Sequence, residues 1–307
     1  MVHSEVRNVV VTLYEGRYHF GVATLINSLI NAHFKGIIRV GYKGNLPAWT
    51  SQLVREKDDE FVINDDLHII FVHTSPEMHF GYFKPQFMKD TLELLPTIER
   101  VFYFDPDIVV NAPWTYFDKW VDAGIALCLD NCFPYVHENH PWRMDWIDLA
   151  QPSRKNECTF YVNSGFCGIK RSDSILLDRW ISITHAYQLI GGNVRLFEKD
   201  AHRSFKGDQD LLNAAITGSP DLRFSVIGKE GMGFSQPAYL MSHAVGDVKP
   251  WNKNYLIYLL KRGESPHFTD KDYLKFVNNP IKSIGDVDFR LKKLNMKVAS
   301  ILGRVLS

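Results

Sequence analysis

The sequence lacks any apolar run approaching ~18 residues, so no segment reads as a transmembrane helix. It also lacks a charge excess of either sign: 35 Lys and Arg stand against 35 Asp and Glu. Without a basic excess, a general binder of nucleic acid or another polyanion is excluded as the first reading. Without a large net charge, and with 45% hydrophobic residues, disorder is excluded too. No internal repeat and no low-complexity tract is present. Cysteine is scarce, at four residues in 307: Cys128, Cys132, Cys158 and Cys167. They read as reduced core residues, since no second close pair follows Cys128 and Cys132 to complete a zinc site. The polar start, residues 1–7, runs straight into a short apolar run at 9–13 with no small-residue cleavage pattern. A cytosolic chain is the expectation. At 307 residues there is ample length for one large domain or two small ones.

What is there is an alternation of short apolar runs and helical patterns. Residues 9–14, 37–42, 67–72, 101–104 and 124–129 read as strands. Between the first two, Val22, Leu25, Ile26, Leu29 and Ile30 share one helix face, and 87–95 is helical up to Pro96. This rhythm predicts βαβ units, a mainly parallel sheet and ligand binding at the carboxyl ends of its strands. The stretch 131–157 breaks the rhythm. It carries Phe133, Tyr135, Trp142 and Trp146 with no clear period, and reads as a loop that either lids an acceptor site or is pinned by its own aromatics. Strand character returns over 159–170. Ser172 is the expected cap of a helix reaching about residue 190, 208–216 is a short helix, and 224–227 and 239–242 are strands.

The strongest local feature is Val101-Phe102-Tyr103-Phe104-Asp105-Pro106-Asp107. A buried strand ends in two carboxylates, and residues i and i+2 of an extended chain point to the same side. Asp105 and Asp107 can share one hard cation of the Mg²⁺ or Mn²⁺ type, which commonly bridges to substrate phosphates. The plain alternative is a turn with two solvated aspartates. A haloacid-dehalogenase-type phosphatase places such a motif on its first strand, whereas here about a hundred residues precede it. The second feature is His243-Ala244-Val245-Gly246-Asp247-Val248-Lys249-Pro250-Trp251. It offers an imidazole for the same metal, a glycine for close backbone approach and a lysine for a phosphate. Between the two lie Asn163-Ser164-Gly165, which suits a sugar hydroxyl or a bend, and Asp208-Gln209-Asp210, which opens a helix.

In this order the four motifs resemble glycosyltransferase family 8, which includes glycogenin and bacterial lipopolysaccharide α-galactosyl- and α-glucosyltransferases. The start, Val11-Thr12-Leu13 followed by Tyr18, Gly21, Leu25 and Ser28, is similar to that family's nucleoside-binding start. The resemblance implies a GT-A fold over residues 1–285: α/β, with a mainly parallel central sheet flanked by helices. It implies a nucleotide-sugar donor, usually a UDP-sugar, with Mn²⁺ (or Mg²⁺) as cofactor and retention of anomeric configuration. By position, Asp105, Asp107 and His243 are the implied metal ligands. Thr12, Leu13 and Tyr18 would hold the nucleoside, and Gly246 and Lys249 the diphosphate. Asn163, Asp208, Gln209 and Asp210 would sit at the reacting sugar. The family's donor-side cation in the helix before the Asp-x-Asp strand falls on Met88 here; Lys84, one turn earlier, and the adjacent Lys89 are the substitutes. Retention has two routes: a covalent intermediate on Gln209 or Asp210, or front-face attack by the acceptor. Because Gln209 is a poor nucleophile, front-face attack is preferred.

Two alternatives compete. A self-glycosylating, glycogenin-like primer or a non-catalytic nucleotide-sugar binder would share the fold, with Tyr14, Tyr187 or Tyr255 as conceivable acceptors. A nucleotidyltransferase needs a Gly-rich loop after the first strand, and Tyr14-Glu15-Gly16-Arg17 is not one. The zero net charge is itself composite. Residues 289–307 hold five basic groups and no acid, which leaves 30 basic against 35 acidic, or −5, in the rest of the chain. The tail, 286–307, reads as a basic amphipathic helix that lies on an anionic membrane surface or docks on the body or on a second subunit. A glycan or lipid-linked acceptor and a peripheral place at the inner face of a membrane fit the first option.

Overall fold

A computed structural model of the chain describes residues 6–151, 155–196, 204–205 and 207–306. Residues 1–5 of the polar start, 152–154 of the aromatic stretch and Ser307 of the tail lie outside these. In chain order the structure begins with β1 (Asn8–Tyr14), α1 (His19–Asn31) and β2 (Gly36–Tyr42). A small hairpin, β3 (Val54–Lys57) and β4 (Glu60–Asn64), leads to β5 (Leu67–His73) and α2 (Phe80–Leu94). Next come β6 (Arg100–Phe104), β7 (Ile108–Val110), α3 (Trp114–Asp122), β8 (Ile125–Cys128), α4 (Pro141–Ala150) and β9 (Phe166–Lys170). The chain then forms α5 (Ile175–Leu189), α6 (Asp208–Thr217), β10 (Phe224–Ile227) and β11 (Met241–His243). Three helices finish it: α7 (Tyr255–Arg262), α8 (Phe268–Phe276) and α9 (Asp286–Leu306).

Nine strands make one sheet in the order β10-β8-β9-β6-β1-β2-β5-β4-β3. Its centre, β6-β1-β2-β5, is parallel, and β10 runs parallel to β8. β9 is antiparallel to β6 and β8, and the β3–β4–β5 margin is antiparallel. The side-chain period of two sorts β1 between two apolar layers. Val9, Val11 and Leu13 face one layer, shared with Phe87 and Met88 of α2. Val10 and Tyr14 face the other, shared with Val22, Leu25, Ile26 and Leu29 of α1, the helix face expected from their spacing. Burying a Leu or Ile of this kind contributes about 1.5–3 kcal/mol. A third cluster joins Trp251, Tyr255 and Leu259 to Tyr273, Met296 and Ala299, so the C-terminal helices pack together beside β7.

Polar groups of α1 lock these parts in register. Ser28 Oγ accepts the Val110 amide at 2.9 Å, fixing β7. The Asn27 side chain is buried and donates to the carbonyls of Phe276 and Ile281, and it accepts from the Ile281 amide. Those groups would otherwise be buried without partners. At Gly21 a Cβ would collide with the Pro106 carbonyl and the Trp251 ring, so α1 meets the Asp-Pro-Asp turn backbone to backbone.

Several expectations change. The 131–157 stretch is not loop throughout. It contains α4, capped by the His140 ring accepting from the Trp142 amide. Trp146 is 1% exposed and stacks on Tyr161 at 5.6 Å, while Arg143 is buried and donates to the carbonyls of Cys158 and Asn156. A buried arginine at a core position hides the helical period. The expected 159–170 strand shortens to β9, preceded by isolated bridges at Phe160 and Val162. Ser172 does not cap α5. It lies in a 3-10 turn at Arg171–Asp173 and its hydroxyl bonds Asp173, because the chain turns once more before the α-helix starts. The β3–β4 hairpin was not visible in the pattern, since β3 is exposed at all four positions. All four cysteines are free thiols. Cys128 and Cys167 are core residues whose thiols burial pushes up, Cys167 to about 12. Cys132 is exposed and Cys158 half-buried, so the core reading fails for those two.

Candidate functional site

The carboxyl ends of β1 and β6 open into a cavity of ≈ 710 Å³, the place where a sheet of this topology binds ligands. β6 delivers Asp105 and Asp107 to its floor. The Asp105 amide donates to Gly165 O at 2.7 Å, and the Asp105 carbonyl accepts from Ile108 N, so the turn is tied to β9 and β7. β7 pairs antiparallel with β11 in a separate two-stranded sheet, with His243 opposite Ile108. That pairing brings a residue 136 positions away beside the turn. His243 Nε2 lies 3.2 Å from Asp107 Oδ1 and 3.8 Å from Asp105 Oδ2. The three donors sit within 4.8 Å of one another. Gly165 makes the approach possible: a Cβ there would lie 2.5 Å from the His243 ring and 2.9 Å from Asp105 Oδ2.

Two lysines compensate the carboxylates. Lys249 Nζ donates to Asp107 Oδ2 at 2.7 Å and to the Ala244 carbonyl at 3.2 Å. Burial acts to raise the Asp107 pKa, but His243 and Lys249 outweigh it and hold the carboxyl well below the ordinary range. Lys84 on α2 is 5% exposed. Its ammonium sits 3.1 Å from Asp105 Oδ1, 2.8 Å from Asp208 Oδ2 and 3.2 Å from the Ser164 carbonyl. Burial opposes its charge, and the two aspartates hold it charged. Asp208 is likewise kept below its ordinary value by Lys84 despite burial. The Tyr103 hydroxyl donates to Asp105 Oδ1 at 2.9 Å.

Opposite the turn, the Asn163 amide donates to Gln209 Oε1 at 3.0 Å and to Asp130 Oδ2 at 3.1 Å. Its carbonyl oxygen accepts from Gly165 N. Gln209 and Asn163 are thus one hydrogen-bonded wall of the cavity. Gly246 takes φ +126, a left-handed backbone that favours glycine; open space surrounds it, so conformation rather than crowding selects the residue.

Leu13, Tyr18, Lys84, Asp105, Asp107, Asn163, Asp208, Gln209, His243, Gly246 and Lys249 all line this cavity. Thr12 and Asp210 do not. Thr12 lies inside β1, paired with Val40, and is fully buried, so its position along the strand keeps it short of the cavity. Asp210 points into the protein, where its carboxylate accepts the Tyr161 hydroxyl at 2.8 Å. That removes it as a nucleophile candidate. Of the two lysines offered in place of Met88, Lys84 lines the cavity; Met88 is core, and Lys89 pairs with Asp178 at 2.5 Å outside it. Tyr187 and Tyr255 are 1% exposed, so neither hydroxyl is presented as an acceptor for self-modification. Sequence reasoning missed Asp130, His79 and Glu15 in the cavity wall. Asp130 follows the end of β8, and that strand-end position was its available signal.

A divalent cation fits the donor set. Two carboxylates and an imidazole suit Mn²⁺ or Mg²⁺. The ring nitrogen that faces both carboxylates, His243 Nε2, is the atom that would complete the set.

No family model matches the sequence, and no curated protein matches it. Solved structures do resemble the chain. An active-site mutant of LgtC superposes with a TM-score of 0.53 at 14% identity, over 92% of this chain and 99% of that one. The galactosyltransferase LgtC in complex with donor and acceptor sugar analogs gives 0.50 at 16% identity, with the same coverage. The glycosyltransferase GlyE of Streptococcus pneumoniae TIGR4 gives 0.51 at 17% identity, over 96% of this chain and 64% of that one. The fold of this chain is therefore the α/β GT-A fold, with its central sheet flanked by helices.

Proposed function

We propose that the chain is a retaining, metal-dependent glycosyltransferase of the family 8 type. It moves a hexose from a nucleotide-sugar, a UDP-sugar by preference, to a glycan or lipid-linked acceptor. The observation that carries this reading is the cluster of Asp105, Asp107 and His243, with Lys249 against it, on the floor of a cavity at the carboxyl ends of β1 and β6. The same fold in LgtC holds donor and acceptor sugar analogs.

In this reading Asp105, Asp107 and His243 hold Mn²⁺ or Mg²⁺, which when bound supplies Lewis-acid stabilisation of a leaving diphosphate. Lys249 releases Asp107 and turns to the diphosphate as a fixed positive charge, and the backbone at Gly246 bends around the same group. Leu13 and Tyr18 flank the nucleoside. Lys84 positions Asp105 and Asp208, and Asp208 and Asn163 orient the hexose. Gln209 stands beside the anomeric carbon as a neutral amide, already accepting from Asn163. A neutral amide is a poor nucleophile, and Asp210 is turned away. The acceptor hydroxyl then attacks from the leaving-group face and passes its proton to the departing diphosphate oxygen. Front-face attack predicts an α-linked product from an α-linked donor; a β-linkage in the product's proton NMR spectrum would refute it. The claim of donor class is tested by release of UDP from a panel of UDP-sugars, with and without Mn²⁺.

A further inference from the structure

No helix among the described residues is long and apolar enough to cross a membrane. α9 nevertheless divides into three faces. Its inner face carries Met296 and Ala299, 7% and 0% exposed, in the C-terminal cluster. Lys292 on that side donates to the carbonyls of Trp251 and Lys253, both at 3.1 Å. Asn295 ties the helix to α7 through the Leu256 amide and the Asn254 side chain. These contacts show that α9 is docked and not a free tail.

The outer face is apolar. Leu291, Leu294, Ile301 and Val305 are 59%, 57%, 51% and 78% exposed. At about 100° per residue they lie roughly 140–180° round the helix from Met296. Scattered apolar residues on a surface need no explanation, but a ridge running along a 21-residue helix does. The third face is cationic. Arg290, Lys293, Lys297 and Arg304, all exposed, lie about 60–120° from Met296, on one flank of the ridge. Asp286, paired with Lys282 at 2.9 Å, begins the same flank, and the opposite flank carries Asp288 and no exposed cation, so the exposed cations outnumber the acids four to two along the helix.

We propose that this outer face of α9 lies on an anionic lipid surface, with the ridge entering the headgroup–acyl boundary and the four cations reaching lipid phosphates. Charge complementarity selects this occupant. A basic flank bordering an exposed apolar ridge is the surface that an anionic membrane attracts and holds. Pairing the ridge with an antiparallel second copy would set two cationic flanks side by side. The assignment rests on α9 alone and stands apart from the reading of the cavity.

The test is co-sedimentation of the full chain with vesicles of phosphatidylcholine alone, and with vesicles in which about a third of the lipid is phosphatidylglycerol. The wild-type chain is expected to pellet with the anionic vesicles and to remain in solution with the neutral ones. Lys293→Gln/Lys297→Gln, on the exposed flank, is expected to weaken partitioning about fivefold per charge removed. Leu294→Glu/Ile301→Glu is expected to abolish it, with an unchanged circular dichroism spectrum. Three results overturn the proposal: no pelleting of the wild type with anionic vesicles, equal pelleting with both vesicle types, or pelleting that neither double variant reduces. A wild-type dimer in solution that the glutamate variant dissociates, with no vesicle binding, would assign the face to a second copy instead.

Discussion

Replacing Asp107 with Asn is expected to lower Mn²⁺-dependent release of UDP about a thousandfold, while the protein stays folded. The side chain is 5% exposed and sits between His243 at 3.2 Å and Lys249 at 2.7 Å. Asparagine keeps its size and can still accept from Lys249, so β6, β7 and their turn keep their places. What is lost is one of two negative charges in the donor set, and a hard cation depends on that charge. The same loss removes the partner that holds Lys249 poised beside the site. Titration of Mn²⁺ followed by electron paramagnetic resonance checks the claim directly. Free Mn²⁺ signal should persist in the variant at concentrations where the wild type removes it. Mn²⁺ binding equal in the two proteins would show that the cluster is an ordinary buried charge network.

Lys84→Met is expected to have the largest effect on stability, a loss of about 3–5 kcal/mol. Lys84 is the shared cation of Asp105 and Asp208, and Asp208 is 3% exposed. Methionine fills the volume but leaves Asp105 and the buried Asp208 facing each other without their shared cation. The midpoint of thermal unfolding should fall by about 5–8 °C for a chain of this size. The pH dependence identifies the cause. In the wild type Asp208 is held below its ordinary value, so its contribution is present above about pH 4 and lost as pH falls further. Without Lys84, burial, the largest influence on Asp208, is opposed only by the Ser164 hydrogen bond and by His79, and the carboxyl rises. The folded variant then takes up a proton before the unfolded chain does, which relieves it. The deficit is therefore largest at neutral pH and shrinks as pH falls toward about 4. Adding Asp208→Asn to Lys84→Met should recover part of the loss at neutral pH, the signature of coupled neighbours. A deficit independent of pH and not relieved by the second change would mean that Lys84 acts through packing alone.

Much of the site was legible because its residues stand at fixed points of local structure. Asp105 and Asp107 follow four buried residues of β6, and a strand end is where an open α/β sheet presents its ligand groups. The His243-to-Lys249 segment was legible as a combination. Its reason is tertiary, since only the β7–β11 pairing sets His243 against Asp107. Lys84 was reached through the family resemblance, which puts a donor-side cation at the position of Met88, with helix spacing placing Lys84 one turn earlier. Thr12 and Asp210 fall outside the cavity for two local reasons: Thr12 lies too far back along β1, since Tyr14 on the same face does reach the cavity, and two positions along a helix turn Asp210 away from the side of Asp208. Thr12 stays in the body of β1, and Asp210 swings from the cavity to Tyr161. The α4 helix escaped notice because one of its two buried positions is Arg143, whose charge breaks the apolar period while its guanidinium satisfies two carbonyls. The β3 edge strand carries Arg55, Glu56 and Lys57, the charged composition that protects a sheet edge and erases the alternation.

Gly165 and Gly246 show the limit of reading residue types alone. The first is required by crowding from His243 and Asp105, and the second by its backbone angle in open space. Both stand beside the proposed diphosphate and metal positions, yet they answer different constraints. Alanine at 165 displaces side chains, whereas alanine at 246 strains the main chain.

The most direct test of the central claim is UDP release from a panel of UDP-sugars by the purified chain, followed with Mn²⁺ present and after its removal by a chelator. The account predicts release from at least one UDP-hexose in the presence of Mn²⁺, loss on chelation and recovery when Mn²⁺ is restored. Release that continues undiminished after chelation, or a panel on which no UDP-hexose is turned over or bound with Mn²⁺ present, would contradict it.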